Sequence, residues 1–164
     1  MESAGIYVLS KLHWQFFGSL TFKSERLPER LRISMFFALL RKTAKDFRLH
    51  FPRLPWCLRQ ERGEIGGRRH FHFLLTGLPP NAASVKTCMT LKTRWEQLGG
   101  GFARVSEFNP QLNGVDYLTK CLGHESLSGG DCYESAKFGF RSCDLMLSKA
   151  VWKISTHARR QTGR

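Results

Sequence analysis

The 164-residue chain carries 26 Lys or Arg against 13 Asp or Glu, a formal charge of +13, so it is expected to meet a polyanion. With 41% apolar residues it can build a core, which excludes wholesale disorder, and no run approaches the roughly 20 apolar residues that cross a bilayer. Cys57, Cys88, Cys121, Cys132 and Cys143 are odd in number without a Cys-x-x-Cys, and MESAGIYVLSK lacks the pattern of a secretory signal, so a soluble protein of a reducing compartment is expected.

HWQFFGSLTF (13–22) is aromatic and β-prone, and Pro28 suits the first turn of a following helix. Ile33, Phe36, Phe37, Leu40, Ala44 and Phe47 then form one apolar stripe, predicting a helix from Glu29 to about His50, ended by Pro52. LPWCLRQERG and RRHFHFLLTG read as two strands of a β-hairpin. After Pro79 and Pro80, Asn81 is the expected cap of a helix that turns Val85, Cys88, Leu91, Trp95 and Leu98 inward and stops at Gly99. GFARVSEF gives a further strand, and Asn113 is the expected cap of a short helix, GVDYLTKCL, ended by Gly123.

This βαββαβ order with one more helix predicts an α+β fold, an antiparallel sheet of about five strands with helices packed on one face. The Gly- and Ser-rich HESLSGGDCYES places a boundary near residue 125, giving a domain over 1–125 and a basic extension over 126–164. Phe138, Phe140, Leu145, Leu147, Val151, Trp152 and Ile154 make the extension too apolar for a free arm, so part of it is expected to pack on the core or on another subunit. No P-loop motif is present, so no helicase of that type is encoded in these residues.

His70 and His72 lie two apart on a predicted strand, so the pleat sends both imidazoles to one face, about 7 Å apart along the backbone. If Ile65 and Gly66 form the turn, partners sum to 131 and Glu61 faces His70, adding a carboxylate. A slip of one residue would remove it, leaving Glu64 or Glu107 as alternative third ligands. Taken alone, His-x-His is more often packing than a site. Here Phe71, Phe73 and Leu75 alternate with the histidines beside Arg68 and Arg69, and two imidazoles with a carboxylate suit Mg²⁺ or Mn²⁺ gripping a phosphate.

In GVDYLTKCL, Val115, Leu118 and Leu122 mark the packing stripe, whereas Tyr117 and Lys120 share the other side, three residues apart. A phenol is a competent nucleophile toward phosphorus when its attack is assisted, and a neighbouring ammonium stabilises charge. Tyr7 and Tyr133 lack such a Lys. Cys121, His124, Cys132 and Cys143 follow no common zinc spacing and read as free groups.

FFGSLTF, RRHFHFLLTG and VDYLTKCL, in that order, resemble the three motifs of the HUH endonuclease superfamily, in particular the Rep-type initiators of rolling-circle replication. Glu61, nine residues before His70, resembles the glutamate that opens the hairpin in small Reps. The likeness spans about residues 13–123. It implies an HUH/RRM-like sheet, metal ligation by His70, His72 and Glu61, and a catalytic Tyr117 assisted by Lys120. The implied reaction nicks single-stranded DNA at an origin or hairpin, leaving a 5′-phosphotyrosine link and a free 3′ hydroxyl. A host helicase and polymerase are implied partners. The expected location is the cytoplasm of a bacterial host, or the nucleus if the source is a eukaryotic virus.

Arg68, Arg69, Lys86, Lys92 and Arg104 are candidate DNA contacts, and Trp14 or Phe16 could stack an unpaired base. Two alternatives stay open. One is a single-tyrosine insertion-sequence transposase; the other, of a different class, is a non-catalytic RNA-binding domain that stacks bases on sheet aromatics.

Overall fold

The computed structural model describes residues 9–62, 67–119, 139–142 and 145–154. β1 (Phe16–Phe22) buries Phe16 and Leu20 fully while Phe17 and Ser19 are half-buried, the period-two pattern of a strand between unlike faces. α1 (Glu29–Asp46) turns Phe36, Phe37, Leu40 and Ala44 inward, with Leu39 and Thr43 widening the stripe. It ends short of His50. Arg48 takes a left-handed φ of 55°, and the N–H groups of Arg48 and Leu49 close on the carbonyls of Lys45 and Ala44 at 3.0 and 2.8 Å. This double closure stops the helix before the proline is reached.

β2 (Trp56–Arg62) and β3 (Arg69–Leu75) pair antiparallel, and α2 (Val85–Gln97) leads to β4 (Gly100–Glu107), then α3 (Gly114–Thr119), β5 (Gly139–Ser142) and β6 (Leu145–Ser148). The cap of α2 is Ser84 rather than Asn81. Pro80–Ala82 close a separate turn first, and the Ser84 hydroxyl accepts from the Thr87 N–H at 3.3 Å. Val85 therefore sits at the helix start and is 72% exposed instead of facing inward. Gly99, with φ 89°, ends the helix as expected.

The sheet order is β4-β1-β3-β2-β6-β5, every neighbouring pair antiparallel. β3 fills the gap left by the β1-α1-β2 crossover and β1 fills the gap left by β3-α2-β4, so two split βαβ units interleave. Among the described residues six strands form instead of about five, because β5 and β6 pair with each other and add to the edge of β2. Within the expected extension, Met146, Leu145, Leu147 and Val151 are core residues.

Helices cover both faces of the sheet, not one. α1 and α2 pack on Phe16, Leu20, Trp56, Leu58, Phe71, Phe73 and Leu75. On the opposite face Val115 and Leu118 of α3 join Leu9, Trp14, Cys57, Leu74, Leu145, Leu147 and Val151. Near-continuous burial along β2 and β3 reflects this double cover. Burial also pushes the Cys57 thiol pKa far up, so this cysteine is a packing group rather than a nucleophile. Trp14 and Phe16, the candidate stacking residues, are 6% and 0% exposed and belong to these cores, so neither is available to a base.

Phe36 is the junction of the larger core, with ring contacts to Phe37, Trp56, Phe71 and Phe73 at 5.6 to 6.3 Å between centroids. Phe36→Ala is expected to cost about 3–5 kcal/mol, read as a fall in the urea midpoint at constant slope. A loss under about 1 kcal/mol would contradict this packing.

Candidate metal and tyrosine site

The β2–β3 register builds the site. Glu61 pairs with His70 and Arg59 with His72, the alignment that the predicted turn requires; residues 63–66 themselves lie outside the described set. Alternation then puts Arg59, Glu61, His70 and His72 on the face that carries α3. Glu61 Oε2 lies 3.5 Å from His70 Nε2 and 3.3 Å from His72 Nε2, and the three candidate ligand atoms fall within 4.8 Å of one another. Glu61, His70 and His72 thus form a group that could hold a metal ion.

The outer nitrogens orient these rings. His70 Nδ1 lies 3.1 Å from the Arg68 carbonyl, which can only accept, so Nδ1 carries a hydrogen and the ring turns its Nε2 toward Glu61. His72 Nδ1 is 2.8 Å from the Ser19 hydroxyl, which turns its Nε2 toward Glu61 and Tyr117. The donor set therefore fits a divalent cation with open positions. Glu64 lies outside the described residues, and Glu107 is not in the ligand group.

α3 brings the phenol to the same point. Asn113 adopts a left-handed φ of 51°, and its carbonyl accepts from the Tyr117 N–H at 2.9 Å. Val115 and Leu118 anchor the helix while Tyr117, 39% exposed, stands on its open side, as the stripe predicts. The Tyr117 hydroxyl donates to Glu61 Oε2 at 3.0 Å and lies 3.3 Å from His72 Nε2. Gly114 lets the helix approach this closely. A Cβ there would stand 3.1 Å from both the Phe108 and Phe17 rings. Lys120, Tyr7, Tyr133 and the possible zinc group of Cys121, His124, Cys132 and Cys143 lie outside the described residues.

Three residues of the site were not singled out in the sequence: Phe17 and Ser19, which sit inside FFGSLTF, and Arg59. Ser19 is opposite His72 in the β1–β3 register, a signal that needs the strand order. Phe17 stacks on His72 at 6.0 Å and meets the Tyr117 ring edge-on at 6.4 Å. Arg59 is buried, donates through Nη1 to the Tyr117 and Leu118 carbonyls at 3.0 and 3.3 Å, and sets Nε 3.0 Å from Glu61 Oε1. That last contact is an ion pair without hydrogen-bond geometry. Arg59 lies two residues before Glu61 in a strand, which places both on one face. One guanidinium thereby joins α3 to the carboxylate of the candidate ligand group.

Arg59→Lys keeps the charge but loses the fork that reaches both partners. It is expected to weaken Mn²⁺ binding by about 10–100-fold, the usual effect of disturbing a ligand's outer partner. Isothermal titration with Mn²⁺ reads it directly, and wild-type affinity would reject the linkage.

Of the expected DNA contacts, Arg104 reaches this face. It pairs with Ser19 and lines, with Phe17, His72, Phe108 and Tyr117, a cleft of about 310 Å³. Arg68 adjoins the site through its carbonyl, while its exposed side chain is 3.6 Å from Glu25. The others are placed elsewhere. Arg69 follows the parity of Phe71 and points to the α1 side, and Lys86 and Lys92 ride on α2, which packs on that same side. A strand reverses its side chains at each residue, so adjacency to His70 in sequence put Arg69 on the wrong face. No helix among the described residues is long and apolar enough to cross a membrane. No protein-family model, curated protein or solved structure matches the chain.

Proposed function

We propose that the chain is a metal-dependent, single-tyrosine nickase and strand transferase for single-stranded DNA, of the HUH type, initiating rolling-circle replication. The observation that carries the reading is the convergence of the Tyr117 hydroxyl, Glu61 Oε2 and His72 Nε2 within 3.0 to 3.3 Å of one another. A structural tyrosine does not need to meet a potential metal-ligand set on its exposed side. The +13 charge, and Arg104 beside the cleft, supply attraction for a phosphate polymer.

His70, His72 and Glu61 would hold Mg²⁺ or Mn²⁺, which when bound supplies Lewis-acid polarisation of the scissile phosphate. The rest of the reaction falls to the chain. Glu61 orients the phenol and is the nearest acceptor for its proton. The Tyr117 oxygen then bonds to phosphorus as the P–O3′ bond breaks, and the departing oxygen takes a proton from solvent to become the 3′ hydroxyl. A new phosphodiester has replaced the old one, so the link is reversible and no nucleotide cofactor is consumed. Arg104 is placed to steady the strand, and Phe17 and Phe108 offer ring surface to an unpaired base. Origin hairpins, with a helicase and polymerase of the host, are the partners this reaction needs.

The deciding experiment incubates the protein with Mn²⁺ and a 3′-labelled pool of single-stranded DNA, then resolves the products on a denaturing protein gel. A labelled band at the protein's position is expected, and it should be absent with EDTA. No adduct with any strand of the pool would reject the reading and favour a non-catalytic nucleic-acid binder.

A further inference from the structure

The hairpin of β2 and β3 carries a second charged feature on the face away from Tyr117. Arg62 and Arg69 are directly opposite in the ladder, and their parity with Gln60 and Phe71 turns both toward the α1 side. Like charges facing one another across a strand pair are destabilising unless an anion lies between them. Beneath them is a third guanidinium. Arg32 is buried, donates through Nε and Nη2 to the Gln60 side-chain oxygen at 3.2 and 2.9 Å and through Nη1 to the Leu27 carbonyl, and lies 5.7 Å from the Phe22 ring centre. Burial, then the charge of Arg69 and that of Arg62, lower its pKa; Glu29 opposes them. Three guanidinium groups thus gather around one end of the sheet, with the Glu29 carboxylate acting against them on Arg32.

The position matters as much as the charge. Arg62 follows Glu61 and Arg69 precedes His70, so this cluster and the metal ligands lie back to back across the same two strand ends. We propose that Arg62 and Arg69, supported from below by Arg32, form a second phosphodiester-binding site, so that a DNA strand held at the tyrosine face also engages the opposite face of the same hairpin. Arg62 and Arg69 contact the phosphates; Arg32, held by Gln60 and Leu27, supplies field rather than contact. The site takes backbone phosphate of any sequence, and its occupancy does not depend on the nicking reaction.

The test measures binding of fluorescein-labelled dT40 by anisotropy between 50 and 300 mM NaCl in EDTA, where no cleavage occurs, for the full chain, Arg62→Gln/Arg69→Gln and Arg62→Lys/Arg69→Lys. The glutamine pair is expected to reduce the slope of log affinity against log salt by about 1.4, two single-strand phosphate contacts at about 0.7 each. The lysine pair should keep it. Phenylglyoxal modification, read by mass spectrometry, should show Arg62 and Arg69 protected by dT40. A slope unchanged in the glutamine pair overturns the proposal, as does a lysine pair that loses as much as the glutamine pair. Failure of the adduct experiment would leave this binding result standing, so the two readings fall separately.

Discussion

Tyr117→Phe is expected to abolish the covalent protein–DNA adduct while single-strand affinity stays within about twofold of wild type. The substitution removes one oxygen, the atom that donates to Glu61 Oε2 at 3.0 Å. The ring stays, and with it the edge contacts to His72 and Phe17 at 4.8 and 6.4 Å. Losing a hydrogen bond to a carboxylate acceptor costs about 1.5–3 kcal/mol, too little to unfold the domain. A denaturing gel and a melting curve on the same preparation separate the outcomes. A persisting adduct would move the nucleophile elsewhere; a collapse of the fold would make the phenol structural.

The second large effect is at the imidazoles. Replacing His70 and His72 together by Ala removes two of three ligand atoms, and Mn²⁺ affinity, measured by titration, should fall by more than 100-fold, with cleavage falling at least as far. Binding of DNA in EDTA should persist, because the charges that attract phosphate are elsewhere. Wild-type Mn²⁺ affinity in the double variant would remove the metal assignment, whatever the cleavage rate shows. His72→Ala alone should be worse than His70→Ala alone. His72 is the more buried ring, 10% exposed against 20%, and the one within reach of the phenol.

The strands and the two longer helices were legible because their patterns are local: the Ile33 to Ala44 stripe, the Gly99 stop and the pleat of His70 and His72 depend on neighbours within a few residues. The Glu61–His70 pairing was readable for a related reason, since a tight hairpin fixes its own register. What escaped depended on strands distant in sequence. Ser19 meets His72 across 53 residues, and Arg59 meets the carbonyl of Tyr117 across 58. The second covered face escaped for a subtler reason. Cys57 and Leu74 are its only buried apolar side chains on β2 and β3, and each looked incidental beside the phenylalanines of the other face.

The placement of β6 bears on how the protein can be dissected. β2 carries Arg59 and Glu61, and its outer flank is covered through the pairing of Cys57, Leu58 and Arg59 with Leu147, Met146 and Leu145. The Ser148 hydroxyl accepts the Trp56 N–H at 3.1 Å. A recombinant fragment cut at the Gly- and Ser-rich stretch near residue 125 would retain every motif side chain yet strip that flank bare. Its unpaired amides would invite self-association, and the strand that sets the carboxylate would fray from its tip. The smallest workable unit therefore runs past the motifs to at least Val151, the last buried side chain among the described residues, which packs in the second core.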